Sequence, residues 1–151
     1  MFLKLAEEKD REDFIKMSLN FFEASPFNSM TFDRDGLDAF FDLSIASKRE
    51  AIVILLVSEE GKNVGMVAGI AQPPLFSKDI VATELAWWVD EEYRKTRKSI
   101  ELLLAFDDWG KRIGAFGNCL ASIEGFSPPS VDKYYTNIGY SRTENSYFKR
   151  N

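Results

Sequence analysis

Arg94, Lys95, Arg97 and Lys98 put four cations into six positions, one short turn after a strand-like run at 82–89 and at the opening of a helix. The first N–H groups of a helix have no partner inside it, and the helix dipole adds partial positive charge there, so the natural occupant is an anion such as a phosphate. Without one, each cation would cost the helix roughly 0.3–1 kcal/mol. Thr96 and Ser99 stand between and after these residues as further N–H or hydroxyl donors. Upstream, Glu84 interrupts the apolar strand run. A carboxylate in such a run is either a proton acceptor in a site or an acid held by an ion pair or by water.

What the chain lacks narrows the chemistry further. It contains no histidine and one cysteine, Cys119, so triads built on histidine, histidine–metal centres and cysteine-based zinc sites are excluded. No metal is expected, and acid–base work falls to Asp, Glu, Tyr, Lys, the thiol or water. Cys119 lies on an apolar stretch and reads as a small buried filler. A net charge of −5 argues against nonspecific nucleic-acid binding. No apolar run approaches the roughly 18 residues of a membrane span, and the first residues turn acidic too early for a signal peptide, so a cytoplasmic address is expected.

The elements that must position these groups follow from periodicity. Residues 2–5 read as a strand, and residues 11–23 carry Phe14, Ile15, Leu19 and Phe22 at helical spacing. After a loop rich in Phe and Met, Asp33 caps a second helix whose buried stripe includes Leu37, Phe40, Phe41 and Ile45. Residues 51–57 are unbroken apolar, which fits a strand buried on both faces, and two more strands follow at 64–71 and 80–89. The helix after the cationic stretch presents Leu102, Phe106, Trp109 and Ile113 on one face. A strand at 116–123, a short helix through Tyr134 and Tyr135 closed by Gly139, and a final hairpin pairing 140–142 with 146–149 complete the order. With 45% hydrophobic and 28% charged residues in 151, residues 1–151 suit a single domain with its own core.

Val89-Asp90-Glu91-Glu92-Tyr93-Arg94 and the helix behind it resemble the coenzyme A motif of the GNAT superfamily of N-acetyltransferases, V-x-P-x-x-[RQ]-x-x-G-x-[GA]. Arg94 takes the Arg/Gln position, Glu91 stands where proline is usual, and Arg97 and Ser99 replace the two glycines. The element order is also similar to the GNAT layout over the whole chain, and the stretch from Tyr134 to Tyr140 is similar to the Y-x-x-x-G-[FY] ending, with Tyr135 at the motif tyrosine. The run from Glu84 to Val89 and the short aromatic tail most resemble phage-encoded members, which would place the protein in a host cytoplasm or a virion. The resemblance implies an α/β (α+β) fold: a single mixed, mostly antiparallel sheet of about six or seven strands with helices on both faces.

It further implies acetyl coenzyme A as cosubstrate, held at the pyrophosphate by Arg94, Lys95, Thr96, Arg97, Lys98 and Ser99, and along its pantetheine arm by backbone at Trp88 and Val89 where the strand at 80–89 splays from the strand at 116–123. Tyr135 would protonate the leaving thiolate, and Glu84 would accept the amine proton. In members with a glutamate base on this strand, the base stands one residue earlier, at Thr83, and a shift of one residue changes face unless a bulge intervenes. The acceptor would be a primary amine of a small molecule or a protein, its pocket shaped by the loop at 24–32, the second helix with Asp33, Asp35, Asp38 and Asp42, and the final hairpin. Edge strands at both ends of such a sheet offer a homodimer contact. The rival reading is a GNAT-fold protein that has lost catalysis and serves as a binding, accessory or virion component.

Overall fold

Seven consecutive apolar residues, Ala51–Val57, form β2, and every one of them is buried. A strand with both faces buried must have cover on both sides, and the computed structural model, which describes residues 1–151, provides it. Ile52, Ile54 and Leu56 turn to one helix layer, while Val53 and Leu55 turn to the other. That alternation is the period of two that any strand imposes.

The first compact unit, Met1–Ala121, is one five-stranded sheet in the order β1 (Phe2–Leu5), β2, β3 (Asn63–Gln72), β4 (Val81–Val89), β5 (Gly117–Cys119). The first three pairings are antiparallel and the last is parallel. Helices α1 (Arg11–Ala24) and α2 (Arg34–Ala46) cover one face, with Phe14, Met17 and Phe41 packed on Val53, Leu55, Met66 and Ala68. Helix α3 (Arg97–Arg112) covers the other through Leu102, Phe106 and Trp109. Gly69 of β3 sets how close α3 comes: a Cβ there would lie 2.5 Å from Phe106 Cε2, so the missing side chain is the seat of that ring.

The second unit, Ser122–Asn151, contains α4 (Val131–Asn137), closed by Gly139 at φ 100°. The expected hairpin at its end does not form. Residues 140–151 contain no strand, and residues 141–151 are exposed throughout, including Tyr147 and Phe148. Two short polar strands without a sheet or helix to cover them are marginal in water. The expected strand at 116–123 shrinks to three residues and remains as β5, and the absence of the hairpin leaves the sheet with five strands rather than six or seven. Cys119, expected to be buried, is exposed.

Candidate active site

β4 is where the sheet stops being regular. Its pairing with β3 runs Val81↔Gln72 to Glu84↔Gly69 and resumes at Ala86↔Ala68, which leaves Leu85 as an extra residue in a β-bulge. The bulge turns two consecutive side chains, Leu85 and Ala86, to the α1/α2 face, where both line one cavity. Glu84 stays on the opposite face, because it lies directly across from Gly69, and the missing Cβ of Gly69 points at Phe106 of α3.

β5 accompanies β4 only over Val81–Thr83. Beyond that the chain leaves the ladder, and the N–H of Ala121 donates to Glu84 Oε2 at 3.2 Å. The edge of β4 from Glu84 to Val89 therefore has no strand beside it. Glu84 stands at the root of this gap with 9% of its surface exposed. Desolvation pushes its carboxyl up to about 7, opposed by the bond from Ala121. That value suits a group that takes and returns protons near neutrality.

The gap leads toward the loop between β4 and α3. Arg94 folds back, with Nε donating to Val89 O at 2.7 Å and its guanidinium 4.7 Å from the centre of the Trp88 ring. Trp88 Nε1 donates to Asp90 Oδ1 at 2.9 Å, and Val89 packs on the α3 cluster. Beside it, Trp87 Nε1 is buried without a hydrogen-bond partner. Thr96 occupies the N-cap of α3, but its hydroxyl donates back to Tyr93 O at 2.8 Å and gives the helix no side-chain cap. Ser99 is buried, its Oγ donating to Thr96 O at 2.7 Å and to Arg94 O at 3.0 Å. The first turn of α3 contains no acid.

Arg97, which replaces a glycine of the motif, does not enter the loop. Its side chain is 94% exposed and lies 3.7 Å from Glu101 on the outer face of α3. Lys98 Nζ is 2.6 Å from the same carboxylate, and Lys95 is exposed. An uncapped helix start, cations around it and no first-turn acid fit a diphosphate, with Arg94 and Lys95 the cations that no carboxylate engages in an ion pair shown by the structure.

On the other face of β4 lies a cavity of about 350 Å³, walled by Phe14, Phe21, Phe22, Phe32 and Phe40 with Leu37, Leu85 and Ala86. Phe32, from the loop before α2, packs on Phe22 at 5.4 Å between ring centres, while Met30 of the same loop is exposed. Asp33 borders this cavity, whereas Asp38 and Asp42 are occupied elsewhere. Asp33 Oδ1 accepts from the N–H of Gly36 as the helix cap, and Arg11 meets Asp38 at 3.2 Å and Asp42 at 2.5 Å while lying 4.9 Å from the Phe41 ring. Asp38 and Asp42 fasten α2 to Arg11 of α1.

In the second unit, Tyr135 is buried, its ring 6.4 Å from that of Tyr134 and 6.2 Å from that of Tyr140. Burial also raises the Tyr134 hydroxyl above the ordinary phenol range. The first unit thus gathers Glu84, Trp88, Val89 and the loop of Arg94 to Ser99 along one edge of β4. The residues that sequence reasoning passed over are Leu85 and Ala86. Nothing in the sequence marks them: the bulge lies after Glu84, so Thr83 and Glu84 keep regular register with Ile70 and Gly69 and face opposite sides of β4.

No family model and no curated protein matches the chain by sequence. Solved structures do. AAC(6')-Iy, in complex with the bisubstrate analogue CoA-S-monomethyl-acetylneamine, aligns with a TM-score of 0.76 at 14% identity, covering 99% of this chain and 97% of that one. Glucosamine-6-phosphate N-acetyltransferase from Arabidopsis thaliana gives 0.73 at 14%, with the same coverage. The aminoglycoside antibiotic 6'-N-acetyltransferase of Acinetobacter haemolyticus gives 0.71 at 15%, over 100% of this chain and 99% of that one. These likenesses span both chains almost end to end, and they show that this chain has the GNAT fold.

Proposed function

We propose that residues 1–151 act as one acetyltransferase domain, moving an acetyl group from acetyl coenzyme A to a primary amine by direct attack. The observation that carries this reading is the open edge of β4, from Glu84 to Val89, running toward an uncapped, cation-flanked helix start. A similar structure, AAC(6')-Iy, is complexed with a CoA bisubstrate analogue, which supports giving the open edge to the pantetheine arm and the helix start to the pyrophosphate. Acetyl coenzyme A would supply an activated thioester. The β4 backbone at Trp88 and Val89 orients the arm, the first N–H groups of α3 with Arg94, Lys95, Thr96 and Lys98 hold the pyrophosphate, and Arg97 and Ser99 lend their backbone at the two motif glycine positions.

In the transfer the amine nitrogen bonds to the carbonyl carbon, the carbon–sulfur bond breaks, and the ammonium loses a proton. Glu84 receives that proton through water at the root of the gap, since its carboxyl and the cavity lie on opposite sides of β4. Tyr135 gives a proton to the departing thiolate; the match to the tyrosine motif and its burial support this assignment. A phenol of ordinary pKa about 10 is near the acidity of a thiol and can act so.

A second reading, binding without turnover, draws on the loop's internal bonding. Ser99 spends its hydroxyl on loop carbonyls and Lys98 lies against Glu101. Titration with coenzyme A separates the two. At 100 times its Kd the ligand adds about 2.7 kcal/mol of stability, and acetyl coenzyme A with an amine then releases thiol. Tyr135→Phe should lower kcat by about 100-fold while leaving the Kd of coenzyme A within a factor of about two. Absence of any thermal shift with coenzyme A would sink the transferase reading.

A further inference from the structure

The cavity against the β4 bulge is chemically one-sided. Its walls are five phenylalanines, two leucines and two alanines, and the polar residues lining it are Ser18, Thr31 and Asp33. Each of two has a partner already: Ser18 Oγ faces Met66 Sδ at 4.0 Å, and Asp33 Oδ1 takes the Gly36 N–H at 3.0 Å. No lysine or arginine lines it. At about 350 Å³ it lies at the small end of the ligand-pocket range, roughly 300–1,000 Å³.

We propose that this cavity is the acceptor pocket and that it selects an amine carried on an apolar, ring-sized body, such as an arylalkylamine, over polyhydroxylated or phosphorylated amines. This rests on the transferase reading for its reaction but not for its binding chemistry. A sugar phosphate would bring an anion to walls that hold no cation. An aminoglycoside would bury hydroxyl and ammonium groups against phenyl rings, leaving them unpaired at a cost of about 1–3 kcal/mol each. An aromatic body replaces water against those same rings, and the bulge fixes where its amine emerges. Leu85 and Ala86 both face the cavity because the extra residue keeps them on one side, so the backbone between them lies at the cavity wall and on the open edge of β4 at once.

The test uses the full chain. Phenethylamine, tryptamine, kanamycin and glucosamine-6-phosphate are titrated calorimetrically with and without coenzyme A, and each is assayed as acceptor by thiol release. The aromatic amines are expected to exceed the two polar ones in kcat/KM by about 100-fold or more. Phe32→Ser, on a loop, should cut kcat/KM for phenethylamine about tenfold with the Kd of coenzyme A unchanged, and Leu85→Ser should do the same from the opposite wall. Better turnover or tighter binding of kanamycin or glucosamine-6-phosphate overturns the proposal, as does aromatic-amine binding that neither variant weakens. If coenzyme A fails to bind while tryptamine binds and both variants weaken it, the transferase reading falls and the pocket's selectivity stands.

Discussion

The two faces of β4 are built in opposite ways. Toward α3 the packing is close: Phe106 sits in the space that Gly69 leaves, Trp109 Nε1 donates to Lys48 O at 2.6 Å, and Asn118 lies where a Cβ on Gly110 would be, 1.9 Å from its Oδ1. Toward α1 and α2 the same strand borders a cavity of about 350 Å³. The packed face holds the strand edge at a fixed distance from α3, and the hollow face leaves room for a ligand body. One extra residue, Leu85, lets a single strand serve both. Rigidity and emptiness are thus separated by the thickness of a sheet.

Truncation on the two faces should give the widest difference. Phe106→Ala removes a ring with none of its surface exposed, and about 3–5 kcal/mol of stability is expected to go with it. Phe32→Ala, at the rim of the hollow face, should cost less than about 1 kcal/mol, because its ring is only partly buried and already borders empty space. Urea unfolding of both variants measures the gap. Equal losses would mean that the cavity closes in solution.

Glu84 sharpens the comparison, because it is the one ionisable group sealed on the packed face of β4. Its carboxyl is raised from 4.5 to about 7 by burial, so between those values the folded chain holds a proton that the unfolded chain has released. Stability should therefore be fully present below about pH 4.5 and decline as pH rises toward 7, by roughly 3 kcal/mol in all from this group. Glu84→Gln keeps an acceptor for the Ala121 N–H and removes the charge. It should flatten that decline and raise the midpoint of thermal unfolding at pH 8. In the assay the same variant distinguishes roles: a lost low-pH limb in kcat marks proton transfer, and an unchanged pH profile marks a brace that holds the strands apart.

How much of this could be read from the chain alone also differs between the faces. The apolar run of β2 and the stripe Leu102, Phe106, Trp109 made the packed side legible, since burial imposes a periodicity that side-chain type records. The hollow side was not legible, because the bulge at Leu85 depends on cross-strand register and a cavity is a statement about what fails to meet. The tail misled for a related reason. Adjacent aromatics at Tyr147 and Phe148 suggest a strand, yet a strand needs a neighbour, and the residues there are exposed. Of the acids expected to shape the acceptor pocket, Asp38 and Asp42 went to Arg11 instead, a pairing between helices that no local pattern announces.

The smallest effect expected is the most informative about the anion loop. Arg97 stands at a motif glycine, which by sequence alone makes it the residue that would crowd a diphosphate. The structure turns its side chain outward, 94% exposed and 3.7 Å from Glu101, where solvent screens the pair. Arg97→Ala should therefore leave the thermal midpoint unmoved and change the Kd of coenzyme A by no more than about twofold, with only a slightly weaker dependence on salt. Calorimetric titration at two ionic strengths measures both. A tenfold gain in affinity would show that the guanidinium swings into the loop in solution and that the missing glycine matters after all. A tenfold loss would make Arg97 a direct phosphate ligand and shift the anion site from the backbone of α3 to its side chains.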